Sequence, residues 1–124
     1  MIREVLDAFE RRDIDAVLAR AHPDVEFVAV TGQEVGHGPY LGHAGLRQYF
    51  SDESEHWDEL RISVRELHPA GEDIVATGRV WARSGNRLVD SSAGWIWRVE
   101  EGRVRYGRVF RSAAAALEAA GLAP

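Results

Sequence analysis

The sequence predicts an α+β domain in which helices precede an antiparallel sheet, and three observations predict it. Apolar positions recur at helical spacing early in the chain, first as Ile2, Val5, Leu6 and Phe9 and later as Leu46, Tyr49 and Phe50. Four strand-like segments then follow with no helical pattern between them, near residues 59–68, 73–83, 88–100 and 103–110. Two turn signals, Gly85-Asn86 and Glu101-Gly102, join the last three into hairpins. Grouped helices and strands exclude a doubly wound parallel sheet, which needs them to alternate.

Taken in order, the first helix carries Ile2 to Phe9, and Asp13 offers a cap for a short second helix with Val17 and Leu18. His22-Pro23-Asp24 is expected to break this pair, and Val25 to Thr31 reads as a β-branched strand centred on Phe27. A glycine-dotted loop, residues 32–42, leads to a third helix on which Leu46, Tyr49, Phe50, Glu53 and Trp57 share one face: large rings and a single carboxylate. After the four strands, Ser112 caps an alanine-rich helix that Gly121 ends.

The turns set strand registers. Glu101-Gly102 places Glu100 opposite Arg103 and, counting outward, Val99 opposite Val104, Trp97 opposite Tyr106, Trp95 opposite Arg108 and Ala93 opposite Phe110. Gly85-Asn86 brings Ile74, Ala76, Gly78, Val80 and Ala82 to that same face. The face is aromatic at one end and small at the other, as a curved sheet around a cavity would be. Arg79, Trp81, Arg83, Asp90, Ile96, Arg98 and Arg105 fall on the opposite face, where Asp90 opposes Trp81 with Arg79 and Arg83 on the diagonals.

Composition narrows the function classes. At 124 residues with 45% hydrophobic content the chain is read as one domain, 1–124, able to bury a core without disulfides. It has no cysteine, which excludes thiol chemistry and thiolate metal sites. All fifteen basic residues are arginine, which excludes Schiff-base catalysis and a phosphate-loop lysine. Dispersed arginines on a chain of net charge −5 argue against nucleic acid, which calls for a concentrated basic face. No apolar run approaches the roughly 20 residues of a membrane span and no signal-peptide pattern is present, so the expectation is a cytoplasmic protein without membrane contact. His37, His43 and His56 fit no metal-ligand spacing, and neither a metal nor a cofactor is expected.

Four segments together resemble the SnoaL-like polyketide cyclase group of the nuclear transport factor 2-like superfamily, to which ketosteroid isomerases also belong. They are Pro39 to Arg47 (PYLGHAGLR), Glu55 to Asp58 (EHWD), the hairpin from Trp95 to Val104, and the tail from Ala116 to Leu122. The resemblance implies a cone: a strongly curved antiparallel sheet wrapped around the N-terminal helices, with an internal pocket, in a homodimer formed through the outer sheet face, here the face with Trp81, Ile96 and Val109. Ketosteroid isomerases use an Asp base with a Tyr and a protonated Asp as oxyanion donors. Val30, Thr31 and Gln33 stand where the base belongs, Phe9 where the Tyr belongs, and Ala93 or Trp95 where the protonated acid belongs, so none of that machinery carries over.

The candidate site follows from the shared face. Trp57, Trp95 and Phe110 are expected to line an apolar pocket for a hydrophobic small molecule. Arg108, inward among rings, needs an acidic partner, a ligand anion or an exit to water. Glu53 on the facing helix offers the partner; alternatively Glu53 is a general base and Arg108 holds an enolate or carboxylate. His37 and Tyr40, on the loop that rims the cavity in this fold, are candidates to protonate or bind a substrate. Two functional classes stay open: a cofactor-independent acid/base enzyme of isomerase, cyclase or dehydratase type on a hydrophobic oxygenated metabolite, and a non-catalytic ligand-binding or dimerisation domain.

Overall fold

A computed structural model describes residues 1–30 and 38–122 of the chain. Helix α1 (Ile2–Glu10) buries Ile2, Val5, Leu6 and Phe9, and α2 (Ile14–Ala19) buries Val17 and Leu18. Arg12 turns the corner between them with a left-handed backbone, φ 56°, and Asp13 caps α2 by accepting from the Ala16 N–H at 3.1 Å. Strand β1 (Ala21–Val28) begins at Ala21, ahead of the expected Val25. His22-Pro23-Asp24 does not break it, because the pairing of β1 shifts register between Ala21 and Glu26, and a proline without an N–H is tolerated in such an irregular stretch.

A two-residue strand, β2 (Tyr40–Leu41), pairs with Glu26 and Phe27 and leads into α3 (Gly42–His56). Then come β3 (Glu59–Ala70), β4 (Asp73–Ser84), β5 (Arg87–Glu100) and β6 (Arg103–Phe110), with limits within two residues of those expected. Helix α4 (Ala113–Ala119) closes the fold, capped by the Ser112 hydroxyl accepting from the Ala115 N–H at 3.0 Å. The six strands form one sheet in the order β2-β1-β6-β5-β4-β3, antiparallel except where β1 runs parallel to β6. No helix among the described residues is long and apolar enough to cross a membrane.

The concave face of this curved sheet holds α1 and α3. On β4 and β5 the register set by Gly85-Asn86 is the one found: Ile74, Ala76, Gly78, Val80 and Ala82 face Trp97, Trp95, Ala93, Ser91 and Val89. Gly78 also lets the sheet bend. A Cβ there would lie 1.8 Å from the Ser63 carbonyl oxygen, beside the bulge that Arg65 makes in β3.

The second register holds only at its start. Glu100 opposes Arg103 and Val99 opposes Val104 as expected, but then Arg98 opposes Tyr106, Trp97 opposes Gly107 and Trp95 opposes Val109. Arg105 is the extra residue of a β-bulge, and every position beyond it changes face. Gly107 and Val109 therefore point inward, while Tyr106, Arg108 and Phe110 move to the outer layer. Two physical reasons favour the shift. The layer under Trp97 has no room, since a Cβ on residue 107 would come within 2.5 Å of the indole and 3.1 Å of the Phe27 ring. The bulge also takes the Arg108 charge to water, where it is exposed and lies 4.9 Å from the Phe110 ring.

The outer face is divided. Helix α4 lays Ala116 on Val75 and Ile96 near β4 and β5, so Ile96 is covered by the chain itself and Val109 is not on this face at all. Trp81 stays on it, half-buried, with the Arg61 guanidinium 5.2 Å from its ring. The expected cross-strand cluster is present as an Arg79–Asp90 ion pair of 3.0 Å.

Because the Trp97–Gly107 contact leaves no space for a methyl group, Gly107→Ala should destabilise the fold by about 1–3 kcal/mol in urea denaturation. An unchanged midpoint would mean that residue 107 does not face the indole.

Candidate functional site

The site begins with the spacing of rings on two helices. Phe9 from α1 stacks on Phe27 and Phe50, with centroids 5.2 and 5.4 Å apart, and Tyr49 from α3 meets Phe27 edge-on at 4.9 Å. Trp97 lies 6.2 Å from both Phe9 and Phe27 and is 1% exposed. This cluster fills one end of the space between α3 and the sheet. At the other end small side chains, Ala82, Ser91 and Ala93, face the helix and leave a cavity of about 250 Å³.

Glu53 projects into that cavity at 5% exposure. It follows Tyr49 by one helical turn, and the Tyr49 hydroxyl donates to Glu53 Oε2 in a short hydrogen bond. Oε1 takes no hydrogen bond from the described residues. Burial raises the Glu53 pKa above the ordinary carboxylate range, opposed by the Tyr49 hydrogen bond and by the Arg12 charge. Arg12 itself donates to the Trp57 carbonyl at 2.7 Å, tying the α1–α2 corner to the end of α3. Burial and the neighbouring carboxylate push the Tyr49 hydroxyl well up, so it remains a donor. The result is a protonatable carboxyl and a fixed phenol in a chamber walled largely by apolar side chains, with Ser91, Ser92, Arg87 and Arg111 also on its lining, a pair able to hold a carbonyl or hydroxyl oxygen and to exchange a proton with it.

The sequence-derived candidates divide accordingly. Glu53, Trp57 and Trp95 all line the cavity. Phe110 reaches its edge although its register position is on the outer face, where it packs near Ile96 and Ala116. Arg108 is corrected outright: the Arg105 bulge puts it on the outer face and exposed, so it neither pairs with Glu53 nor meets a ligand in the cavity. Tyr40 is corrected as well. It is 1% exposed in β2, its hydroxyl donates to Asp52 at 2.7 Å, burial pushes its pKa up, and it is not a lining residue. His37 lies outside the described residues. His43 donates to the Ala21 carbonyl at 3.0 Å, a structural tie at the start of α3. Among the described residues no cluster of His, Asp or Glu could hold a metal ion.

Sequence reasoning missed three lining residues with chemistry to offer, Tyr49, Arg87 and Arg111. The signal for Tyr49 was its four-residue spacing from Glu53. That for Arg87 was its place just after the Gly85-Asn86 turn, at the end of the concave strands nearest Trp57.

A family model described as SnoaL-like domain matches residues 2–107. Among solved structures, an NTF2-like protein of unknown function from Burkholderia pseudomallei is 28% identical, with a TM-score of 0.79 over 94% of this chain and 92% of that one. TerC, co-crystallised with polyporic acid, is 24% identical with a TM-score of 0.79 over 97% of this chain and 95% of that one. A protein with a ketosteroid isomerase-like fold from Catenulispora acidiphila, in complex with trimethylamine, is 10% identical, with a TM-score of 0.76 over 98% of this chain and 92% of that one. No curated protein gives a significant match. With most of its length matched by the family model and the curved sheet in place, the chain belongs to the SnoaL-like domain family.

Proposed function

We propose that this domain binds a hydrophobic, oxygenated small molecule between α3 and the sheet, and that Glu53, hydrogen-bonded by Tyr49, is the acid/base group that acts on it without a cofactor. The observation that carries the reading is the buried Glu53 carboxyl in a largely aromatic cavity, its pKa raised by burial while a phenol fixes one of its oxygens. Such a group takes a proton from a carbon next to a carbonyl when ionised and donates to an oxygen when neutral. The co-crystallisation of TerC, which shares this fold, with polyporic acid supports a small-molecule ligand.

The competing reading, a binding domain without turnover, is favoured by the lack of a second carboxyl or an imidazole among the described lining residues. One experiment separates the two. A panel of cyclic ketones and phenols is screened by thermal shift, where a ligand at 100 times its Kd adds about 2.7 kcal/mol. Exchange of α-protons in D2O is then followed by NMR for the binders. Binding with exchange that Glu53→Gln abolishes supports the enzyme, whereas binding without exchange supports the silent domain.

Filling the chamber tests the site itself. Ala93→Leu should abolish ligand-induced thermal shift while the unliganded Tm holds or rises, because the added methylenes occupy empty space. Retained binding would place the ligand elsewhere.

The protonation of Glu53 sets a pH dependence of stability. At low pH the carboxyl is neutral in both folded and unfolded chains and costs nothing. Above the ordinary carboxylate range the unfolded chain ionises first, so stability is lost as pH rises through the raised folded value. The Tm gain of Glu53→Gln over the wild type should therefore grow as pH rises above the ordinary carboxylate range and level off once the folded carboxyl has ionised. A gain that shrinks over this range would reverse the assignment.

We also propose a homodimer through the part of the outer face that α4 leaves open, around Trp81 on β4. A half-buried indole rimmed by Arg61, Arg79 and Asp90 suits the centre of an interface. Sedimentation should give a dimer at tens of micromolar and a monomer for Trp81→Glu. A wild-type monomer would remove the proposal.

A further inference from the structure

The charges around the cavity run against those of the chain. The protein carries net charge −5, yet the described residues that line its cavity include two guanidinium groups, Arg87 and Arg111, and one carboxyl, Glu53, which burial pushes toward its neutral form. Arg87 differs from the arginines beside it on the sheet. Arg79, Arg83 and Arg98 each meet a carboxylate, Asp90 at 3.0 Å, Glu59 at 2.8 Å and Asp73 at 2.9 Å. Arg87 rests instead on aromatic rings, with its guanidinium 4.9 Å from the centroid of Trp57 and one N–H toward His56 Nε2 at 3.4 Å. No carboxylate of the described residues pairs with it. The residue is exposed while also lining the cavity, so it stands at the rim.

A guanidinium held over an indole is a planar fork fixed in orientation, suited to two oxygens of a delocalised anion. Behind it the chamber is largely apolar. Its volume of about 250 Å³ exceeds the roughly 150 Å³ that accommodates benzene, so there is room for more than one ring. Building on the reading of this cavity as a binding site, we propose that its ligands are planar aromatic acids, with the rings between Trp57 and Trp95 and a carboxylate or ionised enol at the rim on Arg87. Selection between ligands then rests on one charge at the mouth, and Glu53 acts on the end that enters.

The test is a matched pair of probes, 2-naphthoic acid and its neutral amide, titrated against tryptophan emission and checked by thermal shift. The acid should bind at least tenfold tighter than the amide. That preference should vanish in Arg87→Met and in Arg87→Gln, each verified as folded by circular dichroism, and persist in Arg47→Met, which removes an equal charge from an exposed position on α3. Equal binding of acid and amide to the wild type would overturn the anion preference and leave the binding site standing. A preference that survives both Arg87 variants would overturn the role of Arg87. No binding of either probe would count against the cavity as a site for aromatic molecules, and with it the reading on which this inference rests.

Discussion

Trp97 lies against the sheet only where residue 107 has no side chain, and much of the interior is arranged around that contact. The indole covers Gly107, Phe27 and Phe9 pack near it, and Phe50 and Tyr49 extend the cluster onto α3. Tyr49 is fixed edge-on against Phe27, so the hydrogen bond it gives to Glu53 has a defined direction. Moving the indole would move the phenol, and moving the phenol would free the carboxyl. The chemistry of the cavity thus depends on apolar packing at its far end.

The same contact explains where the sequence could be read and where it could not. Helix positions, caps and the β4–β5 register follow from local rules: Asp13, Ser112 and the Gly85-Asn86 turn do in the structure what their types dictate. The β5–β6 register failed because a bulge leaves no mark in a period-two pattern, and counting from Glu101-Gly102 ran through Arg105 without a break. Two warnings were present. A strand glycine marks a close approach or a bulge, and a charged Arg108 among buried rings was already a costly placement. Moving the register by one residue resolves both, exchanging Arg108 for Gly107 and Val109 on the inner face.

The site was legible to the extent that it lies on a helix. Glu53 could be placed from helical spacing alone; Trp57 lines the cavity as expected, but from the extended residue just after α3, which ends at His56, and Trp95 lies before the bulge in register with β4, so its face was correct whatever β6 did. Tyr40 and Arg87 required the path of the chain in three dimensions. Tyr40 is drawn into the core by β2 pairing with β1, a strand of two residues that no pattern announces. Trp97 Nε1 is a further feature beyond sequence reading: it is buried with no hydrogen-bond partner among the described residues, at a cost of about 1–3 kcal/mol. The indole is retained in spite of that cost, which measures how much its packing contributes.

The parallel pairing of β1 with β6 has a kinetic consequence. Strands β3 to β6 form a meander closed by short turns, whereas Phe27 meets Gly107 across 80 positions of sequence. Loop-closure entropy disfavours contacts of that kind, so the expected order is hairpins first and the N-terminal strand last. The chamber is bounded on one side by Leu6 and Phe9 of α1 and Phe27 of β1, so on that order it is complete only when the N-terminal segment has docked. A ligand therefore meets no binding site on the partly folded chain. Its stabilisation falls on the native side of the barrier and lengthens the lifetime of the folded state while leaving the rate of folding unchanged.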